Sequence, residues 1–396
     1  MKIICIHHRL AGMNGHRFNE ACGLVREAAR GRFELVLLVH AEAGAEIASR
    51  LNARPVLVDT TYAAGWSFEQ RTRGFIPQLH EHIDAELGPG DCVLITVATQ
   101  LEANALAAWL GELPRDRKPW IVILMMNDRW NQGDATEYGR QAAEFRMLRD
   151  ALHDLPPGDL HRLIFCASTP GLADELYEFL QVPVAVAPMT KLGEGMPAPD
   201  PAQPRPCIAL LGGARREKGS HLVRDIIHAC KGRVEADFLV HLMNETLTTA
   251  EFADMESIAG EPGVEVIRGP LPLEQYTRAL QSSGIILFPY QVIPYIKRTS
   301  GIFYEAVASG KLVVVPRGTW MARQLEDDRA AGVMFDETGV ESIVDAISRC
   351  VRDREQLEFL ARERKAAWVR EHGISSFIDF MEREIALRQA SALQPS

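Results

Sequence analysis

Short apolar runs, almost free of polar alternation, recur along the whole chain and constrain its fold more than any other feature. In the first half they are Lys2 to His7, Glu34 to His40, Pro55 to Asp59, Cys92 to Val97, Trp120 to Met126, Leu163 to Ser168 and Val182 to Ala187. In the second half they are Cys207 to Leu211, Phe238 to Met243, Val264 to Ile267, Gly284 to Pro289 and Lys311 to Pro316. Runs of Val, Ile and Leu without alternation suit parallel strands buried on both faces. The segments between them carry helical spacing, and regular alternation of strand with helix implies a doubly wound α/β sheet. Between the halves, Gly193 to Pro206 reads GEGMPAPDPAQPRP, with five prolines and almost no large apolar side chain, which is the composition of an extended linker.

The expected organisation is a Rossmann-like domain over 1–195, a linker over 196–206, a second Rossmann-like domain over 207–372, and a helix over 373–396 packing back across the domains. That helix carries Phe377, Ile378, Phe380, Met381 and Ile385 at amphipathic spacing. Open α/β sheets bind ligands beyond the carboxyl ends of their strands, so two such domains facing across a cleft would place the active site there.

Composition closes off several classes. With 396 residues, 47% hydrophobic and 24% charged, the chain is an ordinary globular one rather than disordered, fibrous or disulfide-stapled. Its net charge is -10 and its basic residues are scattered, so no nucleic-acid partner is expected. Residues 1–33 are locally basic, with Lys2, Arg9, Arg17, Arg26, Arg30 and Arg32 against Glu20 and Glu27. Such a surplus suits a phosphorylated ligand or an anionic membrane surface, and equally a solvated helix face. The seven cysteines are odd in number, far apart and set in apolar runs, which reads as buried reduced thiols. The apolar start Met-Lys-Ile-Ile-Cys-Ile is too short for a signal peptide, and Trp120 to Met126 falls well short of the roughly 20 residues that cross a bilayer. A cytoplasmic protein is expected, compatible with peripheral contact at the inner face of the membrane.

Two segments carry recognisable chemistry. In LLGGARREKGSHLV (211–224) a strand ends at Leu211, Gly212 and Gly213 allow a tight turn, and Arg215, Arg216 and Lys218 precede a helix starting near Gly219 or Ser220. Fixed cations beside a helix N-terminus favour anions, above all a diphosphate, although a charged surface loop would read the same way. In PYQVIPYIKRTSGIFYEAVASGKLVVVP (289–316) a loop closes on Thr299-Ser300-Gly301, a helix runs from Ile302 to Ala308, and Gly310 caps it. Ser300 and Gly301 would leave backbone N–H groups free at that N-terminus, a second anion cradle. Glu305, one turn further in, could accept hydrogen bonds from the vicinal hydroxyls of a ribose, or form a structural ion pair.

These two segments, with VEVIRGPLPLEQYTRAL (264–280) between them, resemble the C-terminal half of retaining glycosyltransferases of the GT-B fold, the family often called GT4. The resemblance covers residues 205–350 and rests on Lys218-Gly219, on Arg268-Gly269 followed by Glu274, and on Glu305-Ala306-Val307-Ala308-Ser309-Gly310. It implies that Lys218 with Arg215 or Arg216 neutralises a donor diphosphate, that Gly213 and the amides of Ser300, Gly301 and Ile302 also hold it, and that Glu305 holds the ribose. It also implies that the backbone near Arg268 and Gly269 faces the base. The sequence departs from the family at Lys297, which stands where a Glu contacting the donor sugar is usual. Lys297 would then serve a different donor or an anionic group, or ion-pair locally. It departs again in WIVILMMNDRW, where Asn127 and Asp128 occupy the region in which the family places a His; an Asn orients a hydroxyl but transfers no proton. His7, after the first strand, and the Gly12-x-x-Gly15 loop are placed by the resemblance on the acceptor side, an ordinary strand-to-helix turn being the alternative.

There is no Asp-x-Asp, His-Glu-x-x-His, Cys-x-x-Cys or Gly-x-Ser-x-Gly. No metal and no cofactor are therefore expected, and Arg215, Lys218 and the helix N-terminus must stabilise the leaving diphosphate. The expectation is a metal-independent retaining glycosyltransferase, with Arg215, Lys218 and Asn127 as its catalytic residues, moving a sugar from a nucleotide to a glycan or lipid-linked acceptor in polysaccharide or glycoconjugate synthesis. The rivals are a nucleotide-sugar epimerase of the same architecture and a catalytically silent binding protein.

Overall fold

The computed structural model describes residues 1–13, 16–61, 65–88, 90–126, 135–190, 205–336 and 339–392. The chain divides into two compact units: Met1–Met13, Arg17–Thr190 and Gly373–Ser396 in the first, Lys191–His372 with the short Asn14–His16 in the second. The proline-rich linker, apart from Arg205 and Pro206, lies outside the described residues.

Among the described residues the first unit holds seven strands: β1 (Lys2–His7), β2 (Glu34–His40), β3 (Ala53–Leu57), β4 (Cys92–Ala98), β5 (Trp120–Met125), β6 (Leu163–Ala167) and β7 (Val184–Val186). Their order is β3-β2-β1-β4-β5-β6-β7, with every pairing parallel. Side chains alternate between the faces of a strand, so each unbroken apolar run supplies two cores at once. Ile4, Ile6, Val93, Ile95, Ile121 and Ile123 enter one, while Ile3, Cys5, Cys92, Leu94, Val122 and Leu124 enter the other.

The second of these cores is covered in part by the last helix, Ile374–Ala392, through Ile374, Phe377, Ile378, Phe380, Met381 and Ile385. At about 1.5–3 kcal/mol per buried large apolar side chain, this face alone fixes where the helix goes. Its approach is close. A Cβ at Gly23 would lie 2.6 Å from Cγ1 of Ile374, and Arg32 reaches across to Asp379, Glu382 and Ser375.

The second unit holds β8 (Cys207–Leu210), β9 (Asp237–Leu242), β10 (Val264–Arg268), β11 (Ile285–Leu287), β12 (Leu312–Pro316) and β13 (Gly332–Phe335), all parallel, in the order β10-β9-β8-β11-β12-β13. Strand β13 is missing from the sequence reading. Its four residues are too few to stand out, and Gly332 is chosen by its neighbour: a Cβ there would lie 1.9 Å from the Val313 carbonyl oxygen of β12. The helix expected from Gly219 or Ser220 also differs. Two 3-10 turns, Arg216–Lys218 and Ser220–Leu222, come first, and the α-helix is Val223–Cys230.

In each sheet the chain reverses its winding once, between β1 and β4 in the first unit and between β8 and β11 in the second. At such a switch point the loops leaving two neighbouring strands turn to opposite faces and open a crevice at the carboxyl edge. All seven cysteines are free, and burial raises the thiols, Cys92 to about 12. No helix among the described residues is long and apolar enough to cross a membrane.

Candidate functional site

The crevice of the second unit forms where β8 runs into Leu211-Gly212-Gly213 and β11 into Phe288-Pro289-Tyr290. Glycine is required here by contact as much as by backbone. Gly212 has φ +94°, and a Cβ on it would lie 2.5 Å from Cδ1 of Ile302. Gly219 has φ +70° and would press a Cβ to 1.9 Å from the Pro289 carbonyl oxygen. These approaches bring the turn after β8 against the start of the helix Gly301–Ala308, whose cap is Ser300, its hydroxyl accepting from the Phe303 amide at 3.4 Å. The two segments singled out in the sequence therefore meet.

Around this turn the charges are arranged unequally. Arg215 is held by Glu245 and lies 3.6 Å from Glu217. Glu217 also faces Arg298 at 3.8 Å and accepts from the Tyr295 hydroxyl at 3.5 Å, while the Arg298 guanidinium stacks 5.3 Å from the Tyr295 ring. Lys218 has no hydrogen-bond or ion-pair partner among the described residues. Burial, reinforced by Arg215, pushes its ammonium down to about 8 against the partial relief of Glu245 and Glu217. A partly desolvated cation without a counter-ion is costly, so an anion supplied from outside would be stabilised there.

His241, from β9, completes the wall. Its Nδ1 accepts from the Gly212 amide at 3.2 Å and its Nε2 donates to the Gly269 carbonyl at 2.7 Å. Burial and then Lys218 depress its pKa, against the pull of the Gly269 carbonyl, which keeps the ring neutral and its tautomer fixed. The cavity enclosed by Gly212, Gly213, Lys218, His241 and Tyr290 measures about 20 Å³, room for little more than a water molecule. Glu245 stands directly against the turn, its Oε1 1.8 Å from where a Cβ on Gly213 would be. In this state a carboxylate occupies the approach to the glycine turn.

The other residues expected at the donor side are placed as follows. Glu305 is buried and accepts from the Tyr276 hydroxyl, whose pKa is raised well above 10 by burial and by that carboxylate. Lys297 is half-buried on the loop before Ser300. Arg216 and Arg268 do not join the cavity. Both are exposed and pair with carboxylates of the helix Thr249–Glu256, Arg216 with Glu251 and Arg268 with Glu256 at 3.3 Å. Gly269, with φ +72°, enters only through its carbonyl.

In the first unit, His7 is buried at the end of β1 and its pKa falls to about 3 through burial, His8 and Arg17. Beside it His8, Arg9, Asp59 and Glu102 form a buried charge cluster at the carboxyl ends of β1, β3 and β4. His8, Asp59 and Glu102 could offer a metal three ligand atoms within 4.8 Å of one another. Both carboxylates are already engaged: Arg9 bridges Asp59 and Glu102 at 3.1 Å each, His8 Nε2 lies 2.9 Å from Glu102, and Thr61 donates to the same carboxylate at 2.7 Å, while Nδ1 of His8 is buried without a hydrogen-bond partner among the described residues. Burial works to raise Glu102, yet His8, Arg9 and Thr99 hold it well below the usual carboxylate range. The set fits an internal ion cluster better than a cation site. Gly12 is exposed, with open space where a Cβ would go. Gly15, Asn127 and Asp128 lie outside the described residues.

Sequence reasoning missed Glu245, His241, Tyr276 and Arg298 in the second unit and Glu102 in the first. Glu102 left a signal, the capping box Thr99-x-x-Glu102. Glu245 left none, because it reaches the turn only through the parallel bridge of Ala214 with Asn244.

No protein-family model matches the chain, and no curated protein sequence matches it. Solved structures do. Sucrose-phosphate synthase from Thermosynechococcus elongatus superposes with a TM-score of 0.66 at 11% identity, covering 99% of both chains. Anabaena HepE in complex with UDP-glucose gives 0.63 at 11%, covering 99% of this chain and 100% of its own. The UDP-GlcNAc 2-epimerase of Neisseria meningitidis bound to UDP-GlcNAc gives 0.56 at 15%, covering 91% and 94%. The chain has the fold of these proteins, two parallel sheets with flanking helices in the GT-B arrangement.

Proposed function

We propose that this chain is a metal-independent, retaining glycosyltransferase of the GT4 kind that takes its sugar from a nucleoside diphosphate. The observation that carries the reading is Lys218: a half-buried ammonium, with no hydrogen-bond or ion-pair partner among the described residues, at the switch point of the second sheet, beside the Gly212-Gly213 turn and the start of the helix Gly301–Ala308. The diphosphate lies against Lys218 and the amides of Gly213, Ser300, Gly301 and Ile302, displacing Glu245 and freeing Arg215 to bind it. Glu305, held by Tyr276, takes the ribose hydroxyls. As the bond from sugar to phosphate breaks, charge builds on the phosphate oxygens, and cations already fixed there stabilise the transition state more than the ground state. Arg215 and Lys218 supply at this point what a divalent ion supplies elsewhere. The leaving phosphate itself takes the acceptor proton, so no protein base is needed, and His7, neutral at ordinary pH, orients rather than charges. The acceptor is a glycan or lipid-linked glycan.

That likenesses include a protein bound to UDP-glucose and an epimerase bound to UDP-GlcNAc supports a nucleotide sugar as ligand and leaves two reactions to separate. A panel of nucleoside diphosphates scored by thermal shift should give one clear stabiliser, with the shift lost in Lys218→Ala and reduced in Glu305→Ala. Turnover of the matching labelled donor should give retained anomeric configuration by NMR and be indifferent to EDTA. Epimerised sugar in the absence of acceptor would replace the transferase reading with the epimerase one.

A further inference from the structure

A recess of the first unit lies at the opposite edge of its sheet, where β5 and β6 begin rather than end. It encloses about 1210 Å³, above the roughly 300–1,000 Å³ of ordinary small-molecule sites, and is open to solvent. Trp120, the first residue of β5, forms its floor, with the Arg162 guanidinium 5.4 Å above the indole and the His161 ring edge-on at 6.1 Å. Lys118 and Arg115 stand on the wall. The one carboxylate among the lining residues, Asp159, is bound by Lys118 at 2.5 Å. Arg162 donates Nη1 to the Lys118 carbonyl at 2.8 Å and meets no carboxylate among the described residues; Arg115 is exposed and has no polar partner among them. The chain as a whole carries a net charge of -10, which makes two uncompensated guanidiniums in one hollow conspicuous.

We infer that this recess is a second binding site, for a chain-like polyanion bearing carboxylates or phosphates. Guanidinium forks match both groups bidentately, and Arg162, stacked on Trp120, is held ready for such a partner. The volume exceeds what one anionic group needs, and two arginines among the lining residues suit an occupant that carries more than one anionic group. The occupant is soluble rather than a membrane surface, because none of the exposed large hydrophobic side chains lines the recess, and an inserting face needs them. His161 is spent on structure, its Nε2 donating to the Arg388 carbonyl at 2.8 Å.

The test is calorimetric titration of the full chain with a tetragalacturonate, repeated with tripolyphosphate, at low and high salt. Saturable binding is expected, weakened at least tenfold by Arg115→Glu and by Arg162→Gln, and unchanged by Lys218→Ala or by excess nucleoside diphosphate. Arg115 is exposed and has no polar partner among the described residues, so its variant reads binding rather than unfolding. Equal binding by Arg115→Glu, or no saturable binding by either probe at millimolar concentration, would overturn the inference. Loss of probe binding in Lys218→Ala would assign the probe to the second unit instead. Cosedimentation with phosphatidylglycerol vesicles but no binding to either soluble probe would replace the polyanion with a lipid surface.

Discussion

At the scale of single residues, the second unit is governed by who neutralises whom. Lys218 titrates near 8 in the fold against an ordinary 10.5, so between those values the unfolded chain binds the extra proton and stability rises with pH. Below 8 the full cost of burying the charge is present. Lys218→Met should therefore stabilise the protein at pH 7 by about 2 kcal/mol, read by urea denaturation, while abolishing diphosphate binding, since the fall from 10.5 to about 8 corresponds to at most about 3.4 kcal/mol at about 1.4 per pKa unit and hydration of the half-buried side chain recovers part of it. For the same reason diphosphate affinity of the wild type, followed by calorimetry, should weaken as pH rises through 8 and the free cradle loses its ammonium. Glu245 acts in the opposite sense. It is an internal anion seated against Gly213, and its removal in Glu245→Ala should tighten diphosphate binding by about tenfold, or roughly 1.4 kcal/mol, measured in the same titration; weaker binding would mean that Glu245 helps to hold Arg215 in place for the ligand.

At the scale of elements, close approach decides more than propensity does. Gly219→Ala combines a left-handed backbone with a collision against the Pro289 carbonyl, and should cost at least about 2 kcal/mol in denaturant melts. Phe377 is fully buried under the first sheet, and Phe377→Ala should cost about 3–5 kcal/mol. Twelve strands were legible because each is a dense run of Val, Ile and Leu that no amphipathic helix would carry. β13 was not, since Gly-Val-Met-Phe becomes a strand only through Val313 beside it. The cradle was legible in part for a similar reason. Gly212, Lys218 and Ser300 sit on local turn and cap signals, whereas Glu245, His241 and Tyr276 arrive from other strands and helices. Arg216 and Arg268, expected among the donor-binding residues, pair instead with the acidic side of Thr249–Glu256, a competition that spacing along the chain does not reveal.

At the scale of the whole molecule, the core of the second unit is drawn wholly from residues between 205 and 372, whereas the core of the first takes residues from beyond them. A fragment of 205–372 should fold cooperatively and retain diphosphate binding, checked by thermal shift. A fragment of 1–190 should self-associate on gel filtration, with Ile3, Cys5, Leu94 and Val122 left on a thinly covered face. The last helix gives this a temporal meaning. Ribosomes add about 5–20 residues each second, so the first sheet emerges and waits some ten seconds or longer, one flank unroofed, while the second unit is translated. During nascent-chain growth that flank is a standing invitation to chaperones, and it closes only when Ile374–Ala392 leaves the exit tunnel and docks.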